Sequence, residues 1–272
     1  MALVTDAILV RARRALLDAL EALGPHRESV VLVGAQAVYL HTGAADVALA
    51  EFTIDADLAF DARTLGDDPR IEAAMMSAGF EHGVSRNPGV WTSKDGVQVD
   101  LMVPAAIAGS GRRSVHAPPH DRSALRKSSG LEAALVDKSS RSVSSLDSSD
   151  SRAFDIAVAG PAALLVAKLH KLADRIAGER AVENKDAHDV YRILVAIGTT
   201  TLADDLRLLA AHPLSGSTTT ESIGLLAEYF AAGPDAAGSR MAGAAEELVG
   251  DPATVGLAAS ILASDLLAAL RV

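Results

Sequence analysis

From Ile54 to Phe60 the chain alternates: Ile54, Ala56, Leu58 and Phe60 are apolar, Asp55 and Asp57 stand between them, and Asp61 follows. Side chains along a strand point to opposite faces in turn, so this stretch reads as a strand with one apolar face. The other face then carries Asp55 and Asp57, about 7 Å apart at Cα by strand rise. Two carboxylates so placed can grip one or two divalent cations. A second candidate strand, Val97-Gln98-Val99-Asp100-Leu101-Met102-Val103, turns its valines and leucine to one side and Asp100 to the other. Upstream, Val31-Leu32-Val33-Gly34-Ala35 reads as a buried strand whose glycine turn opens a helix. Backbone N–H groups at such a turn suit phosphate oxygens. Three carboxylates on neighbouring strands beside a glycine turn make a place for a metal-bound triphosphate. The metals neutralise phosphate charge, and Asp100 serves as third carboxylate or base.

The remaining patterns place these strands in an α+β chain. Asp6 to Leu23 has apolar residues at helical spacing and stops at Gly24-Pro25. Strands are predicted at Val30 to Val33, Phe80 to Val84, Val90 to Thr92, Val97 to Val103 and Phe154 to Val158. Helices are predicted over Gly34 to His41 and Pro69 to Ser77. The serine-rich Ser139 to Ser151 reads as a linker or a loop between strands. After Pro161 only helical patterns remain, running to Leu270. Mixed strands and helices followed by helices alone define the class.

Composition narrows the function. The 272 residues carry a formal net charge of −10, which works against nonspecific coating of nucleic acid. A basic stretch nevertheless follows the Asp100 strand: Arg112, Arg113, His116, His120, Arg122, Arg126 and Lys127. It reads either as a solvated loop or as an arm that docks an RNA backbone beside Asp55 and Asp57. There is no cysteine, hence no disulfide framework and no zinc-thiolate site. No apolar run reaches the roughly 18–20 residues of a membrane span, and the first residues do not pattern as a signal peptide. The default expectation is a cytoplasmic protein with no membrane partner. His41, His82, His170, His188 and His212 show no metal-ligand spacing, and no phosphate-loop motif is present. Asp55-Ala56-Asp57 also has the form of an aspartate-nucleophile phosphatase pair, but Leu58-Ala59 does not continue that motif.

The helical half adds a second constellation. Lys168, Lys171 and Arg175 fall at i, i+3 and i+7, on one helix face, with Leu164, Leu165, Leu169, Leu172 and Ile176 mostly opposite. The next helix places Asp186 and Asp189 at i and i+3. These residues make either a solvated face with an exposed inter-helix salt bridge or a group that fixes phosphates and orients an acceptor.

Taken in order, Gly34-Ala35, Thr53-x-Asp55-x-Asp57, Lys168-x-x-Lys171-Leu172-x-x-Arg175 and Asp186-x-x-Asp189 resemble the four motifs of the AbiEii-type nucleotidyltransferase toxins, which include the MenT toxins. The resemblance spans roughly Val30 to Leu194. It implies a polymerase-β-like nucleotidyltransferase fold: a mixed sheet with flanking helices in a core over 1–160, and a helical domain over 161–272 that completes the active site. It further implies a nucleoside triphosphate co-substrate, Mg²⁺ or Mn²⁺, a tRNA 3′ end as acceptor, and the setting of a type IV toxin–antitoxin system with a cognate antitoxin. Carried over by position, Asp55 and Asp57 match the metal carboxylates, and Asp100 takes the third-carboxylate place. Gly34, Ala35, Lys168, Lys171, Arg175 and Asp186 fall to nucleotide binding, and Lys168 and Asp189 also to catalysis. Two departures stand out: Ala35 supplies no hydroxyl, and Glu51 stands where the second motif usually has arginine. Two rival readings follow: a transferase acting on a small molecule such as an antibiotic, and a degenerate nucleotide-binding scaffold without catalysis.

Overall fold

The computed structural model describes residues 2–43, 55–82, 87–178, 184–248 and 250–271. Glu51, Thr53 and Ile54 lie outside the described residues. The chain divides into two compact units. The first comprises Met1–Gln36, Phe52–Leu131 and Lys138–Ala159, and the second Ala37–Glu51, Glu132–Asp137 and Gly160–Val272.

The first unit is built on one mixed sheet. In chain order its elements are α1 (Ala2–Ala22), β1 (Val30–Val33), the start of α2 (Gly34–Thr42), β2 (Ala56–Phe60), α3 (Ile71–Ser77), β3 (Glu81–His82), β4 (Val90–Thr92), β5 (Gln98–Pro104), β6 (Arg126–Ser128), β7 (Lys138–Ser144) and β8 (Ala153–Ala159). The strand order is β3-β4-β5-β2-β1-β8-β7. β1 runs antiparallel to β2 and parallel to β8, while β2 and β5 run parallel. One edge of β5 is shared: β4 pairs with Gln98 to Asp100, and β6 with Met102 to Pro104. Leu16, Leu17, Leu20 and Leu23, from α1 and the residue that follows it, are fully buried, as are Leu32, Leu58 and Phe60 of the sheet and Ile71 and Met75 of α3. Trp91, also fully buried, donates its indole N–H to the Ala124 carbonyl at 3.1 Å.

Several elements differ from expectation. Of the stretch Ser139 to Ser151, expected as a linker or a loop between strands, the part to Ser144 belongs to an edge strand, Lys138–Ser144, paired with β8 over seven residues, and the remainder connects the two strands. Only Val143 of this edge strand is buried, so backbone pairing makes the strand and no apolar alternation announces it. Arg126–Ser128, read as part of a polar arm, is a short parallel strand. β2 is buried along its whole length, Asp57 included, where its carboxylate face was expected to meet solvent.

The second unit is helical: α4 (Pro161–Ala177), α5 (Lys185–Ala196), α6 (Thr199–Ala211), α7 (Gly216–Leu226) with a π-helical turn after it, α8 (Ala237–Ala244) and α9 (Pro252–Leu270). Asp137 fixes the start of α4. Its carboxylate accepts from the Ala163 N–H at 3.1 Å, and it fills the space a side chain at residue 160 would need, 1.9 Å from an ideal Cβ. Any side chain there would have to displace the Asp137 carboxylate. Burial pushes the Asp137 carboxyl up from the usual carboxylate value. α9 is long and apolar enough to cross a membrane by length and composition. The sequence reading found no such run because Ser260, Ser264 and Asp265 interrupt it. Val255, Ala259, Ala263 and Leu266 form its buried face, while Leu257 and Ile261 are exposed.

Candidate active site

The site in the first unit begins where β1 ends. Val33 lies opposite Asp57 in the β1/β2 register, and the chain then turns into α2 at Gly34 with φ +72°. A Cβ at residue 34 would fall 2.0 Å from Asp57 Oδ2 and 2.8 Å from its Cβ. Two independent constraints therefore require glycine: a left-handed backbone and a carboxylate in the space any side chain would take. Asp57 is 4% exposed. Its carboxylate lies against the first residue of α2, where the helix dipole favours negative charge.

Asp55 precedes β2 and is half-buried. Gln36, on the second turn-forming residue after Gly34, donates from Nε2 to the Asp55 carbonyl and to the Ala12 carbonyl, each at 3.3 Å. Arg13 in turn donates to Gln36 Oε1 at 3.0 Å and to the Ser144 carbonyl at 2.9 Å. These buried hydrogen bonds tie the backbone at Asp55 to α1 and to the edge strand β7. Neither Gln36 nor Arg13 was singled out from sequence, because their partners are far along the chain.

Asp100 stands directly beside Asp57 in the parallel β2/β5 register. The expected pairing of carboxylates on neighbouring strands is therefore met for Asp57 and Asp100. Asp100 also meets a cation from the basic stretch: Arg126 Nη2 donates to its Oδ2 at 2.5 Å. Ser114 bridges to Arg126, and the Lys127 N–H bonds the Arg113 carbonyl at 2.7 Å. Arg112, Arg113, Ser114 and Pro88 line an open groove of about 630 Å³. The end of the basic stretch, Arg126 and Lys127, thus lies on the strand beside β5.

By donor chemistry these residues fit a hard divalent cation, which takes carboxylate oxygens. Among the described residues, however, no three His, Asp or Glu side chains converge as a metal-binding group. Arg126 holds Asp100 instead.

The second unit carries its own charged cluster. Lys168, on α4, donates to Asp186 Oδ1 at 2.9 Å and lies 2.6 Å from Asp189 Oδ2, both carboxylates being on α5. Arg175 also pairs with Asp186. Lys168, Arg175, Asp186 and Asp189 are all buried, so the expectation of an exposed salt bridge is corrected. The reason is geometric: α4 buries its charged face as well as its leucine face, and α5 supplies the neutralising carboxylates. Burial alone would lower the Lys168 pKa, but Asp186 and Asp189 outweigh it and hold it well above the ordinary lysine value. Burial likewise works to raise Asp186, yet Lys168, Lys171 and Arg175 together keep it far below the usual carboxylate range. Lys171 is half-buried. Arg192 donates to Thr42 Oγ1 at 3.2 Å and to its carbonyl at 3.1 Å, with its guanidinium over the Tyr39 ring. Burial, and then the Asp189 charge, push the Tyr39 hydroxyl up to about 12.

The mixed sheet thus presents paired carboxylates beside a strand–glycine–helix turn. The nucleotidyltransferase family model matches residues 11–213, well over half of the chain, and the chain belongs to that family. It is a nucleotidyltransferase, an enzyme that moves a nucleoside monophosphate from a nucleoside triphosphate to an acceptor. The match spans Gly34, Asp55, Asp57, Asp100 and the charged residues of α4 and α5. No curated protein and no solved structure matches the chain significantly.

Proposed function

We propose that this nucleotidyltransferase acts on the 3′ end of tRNA, as the cytoplasmic toxin of an AbiEii-type toxin–antitoxin pair. The observation that carries this reading is the position of the basic stretch: Arg112, Arg113, Arg126 and Lys127 lie on or beside the strand next to Asp100. An arginine-lined groove suits a polyanionic acceptor and disfavours a cationic antibiotic. The order of the four short motifs adds support. In this reading Asp55 and Asp57, with Asp100, hold Mg²⁺, which when bound neutralises phosphate charge. Gly34 and Ala35 offer backbone N–H groups to phosphate oxygens. Lys168, with Asp186, Asp189, Lys171 and Arg175, is assigned to the nucleotide. An acceptor hydroxyl attacks the α-phosphorus, and pyrophosphate leaves. Incubation with each labelled NTP, Mg²⁺ and total tRNA tests the assignment; label on no RNA under any NTP would defeat it.

Two variants probe the parts separately. Asp57→Asn is expected to reduce transfer by about 100-fold or more, the loss of several kcal/mol of charge stabilisation. The variant should still fold, because asparagine keeps the shape of the buried Asp57 side chain. Undiminished transfer by this variant would remove Asp57 from the site. Arg112→Gln with Arg113→Gln is expected to weaken RNA binding and flatten its salt dependence, each lost contact reducing the slope by about 0.7 for single strands. An unchanged salt slope would make the groove an ordinary solvated surface.

A further inference from the structure

The carboxylate site already contains a cation of its own. Arg126 and Asp100 are both mostly buried, their side chains 26% and 16% exposed. The backbone at Arg126 is clamped: β6 pairs with β5, Ser114 bridges to it, and Gly89 packs against it. Gly89 has φ +72°, and a Cβ there would fall 2.5 Å from the Arg126 nitrogen and 2.4 Å from the Leu101 carbonyl. The guanidinium is less well satisfied. Its Nε is buried without a hydrogen-bond partner among the described residues, and a buried donor left unmade costs free energy. A fork-shaped side chain that uses only one arm on a carboxylate is a poor permanent tie.

Asp57 and Asp100 sit side by side in register, so the folded site brings two like charges together. Arg126 supplies one positive charge, and a divalent cation supplies two together with the oxygen coordination both carboxylates prefer. A divalent cation held by Asp57 and Asp100 would compete with Arg126 for the charge of the Asp100 carboxylate.

We propose that Arg126 is the resident counter-ion of the carboxylate site, displaced from Asp100 when a divalent cation binds, and that it thereby sets the affinity for that cation. The proposal rests on the reading of Asp57 and Asp100 as metal carboxylates. Arg126 is then a positioning residue with two stations: on Asp100 without metal, and released from it with metal.

The test is direct Mn²⁺ binding to the full chain, read from the electron paramagnetic resonance of free Mn²⁺, with no nucleotide or acceptor present. Arg126→Gln is expected to bind Mn²⁺ about tenfold more tightly than the parent, the scale of one charge-assisted hydrogen bond. Arg126→Met should behave alike and serves if the glutamine variant does not fold; Arg126→Lys, which keeps the charge, should stay near the parent. Asp57→Asn should lose binding alone and combined with Arg126→Gln. If the neutral Arg126 variants bind no more tightly while Asp57→Asn still loses Mn²⁺, Arg126 is only a structural tie and the carboxylate reading survives. If Asp57→Asn binds as the parent does, or no variant binds, the carboxylate reading itself falls and takes the proposal with it.

Discussion

Lys168→Met is expected to destabilise the protein by about 3–5 kcal/mol, the cost of leaving buried charges without their partner. Lys168 is 4% exposed and serves Asp186 and Asp189 together, so its loss strands two carboxylates with Arg175 as the remaining close cation on Asp186. An exposed pair would cost only about 0–1 kcal/mol, and urea unfolding separates the two cases. The pH dependence gives a second readout. Asp186 has a folded pKa depressed below its unfolded value. Its contribution to stability is therefore full above the unfolded carboxylate value and fades as pH falls below about 5. Removing Lys168 removes part of that depression, so the variant should lose less further stability on acidification than the parent does. A parent whose stability is flat from pH 6 to pH 3 would contradict the depressed Asp186.

Gly34→Ala should be comparably severe, with loss of function ahead of loss of fold. The left-handed backbone costs about 1–2 kcal/mol with any L side chain, and the new methyl would collide with the Asp57 carboxylate, 2.0 Å away. Either Asp57 moves or α2 does. A displacement near 1 Å at a reacting centre costs about 100-fold in rate, so transfer should fall at least that far. A double-mutant cycle identifies the clash. In an Asp57→Ala background the Oδ2 and Cγ contacts are gone, and Gly34→Ala should cost less there by about 0.5–3 kcal/mol, the coupling typical of touching residues. Strictly additive energies would mean that backbone strain alone requires the glycine.

The strands that frame the carboxylates were legible because burial on one or both faces writes itself as period and composition. Val30–Val33 and Val90–Thr92 fall where the pattern puts them, and the Gly34 turn follows from glycine at the end of an apolar run. What stayed hidden depends on partners distant in sequence. β7 carries serines where an apolar face would have announced a strand, and it exists because β8 offers seven residues of backbone pairing. Arg126 lies 26 residues from Asp100, and no local spacing singles it out from Arg112, Arg113 or Arg122. The charged face of α4 was visible as a face. That it is buried could be known only once α5 was seen to bring two carboxylates against it.

The helical unit is threaded from three stretches of chain, Ala37–Glu51, Glu132–Asp137 and Gly160–Val272. Arg192 of α5 is anchored on Thr42 and Tyr39 from the first stretch, and α4 begins on Asp137 from the second. A gene break after β8 would hand the last stretch on without either anchor. Recombination therefore cannot exchange the helices as a cassette, as it exchanges modules joined end to end. The helical unit depends on segments encoded on both sides of the sheet strands.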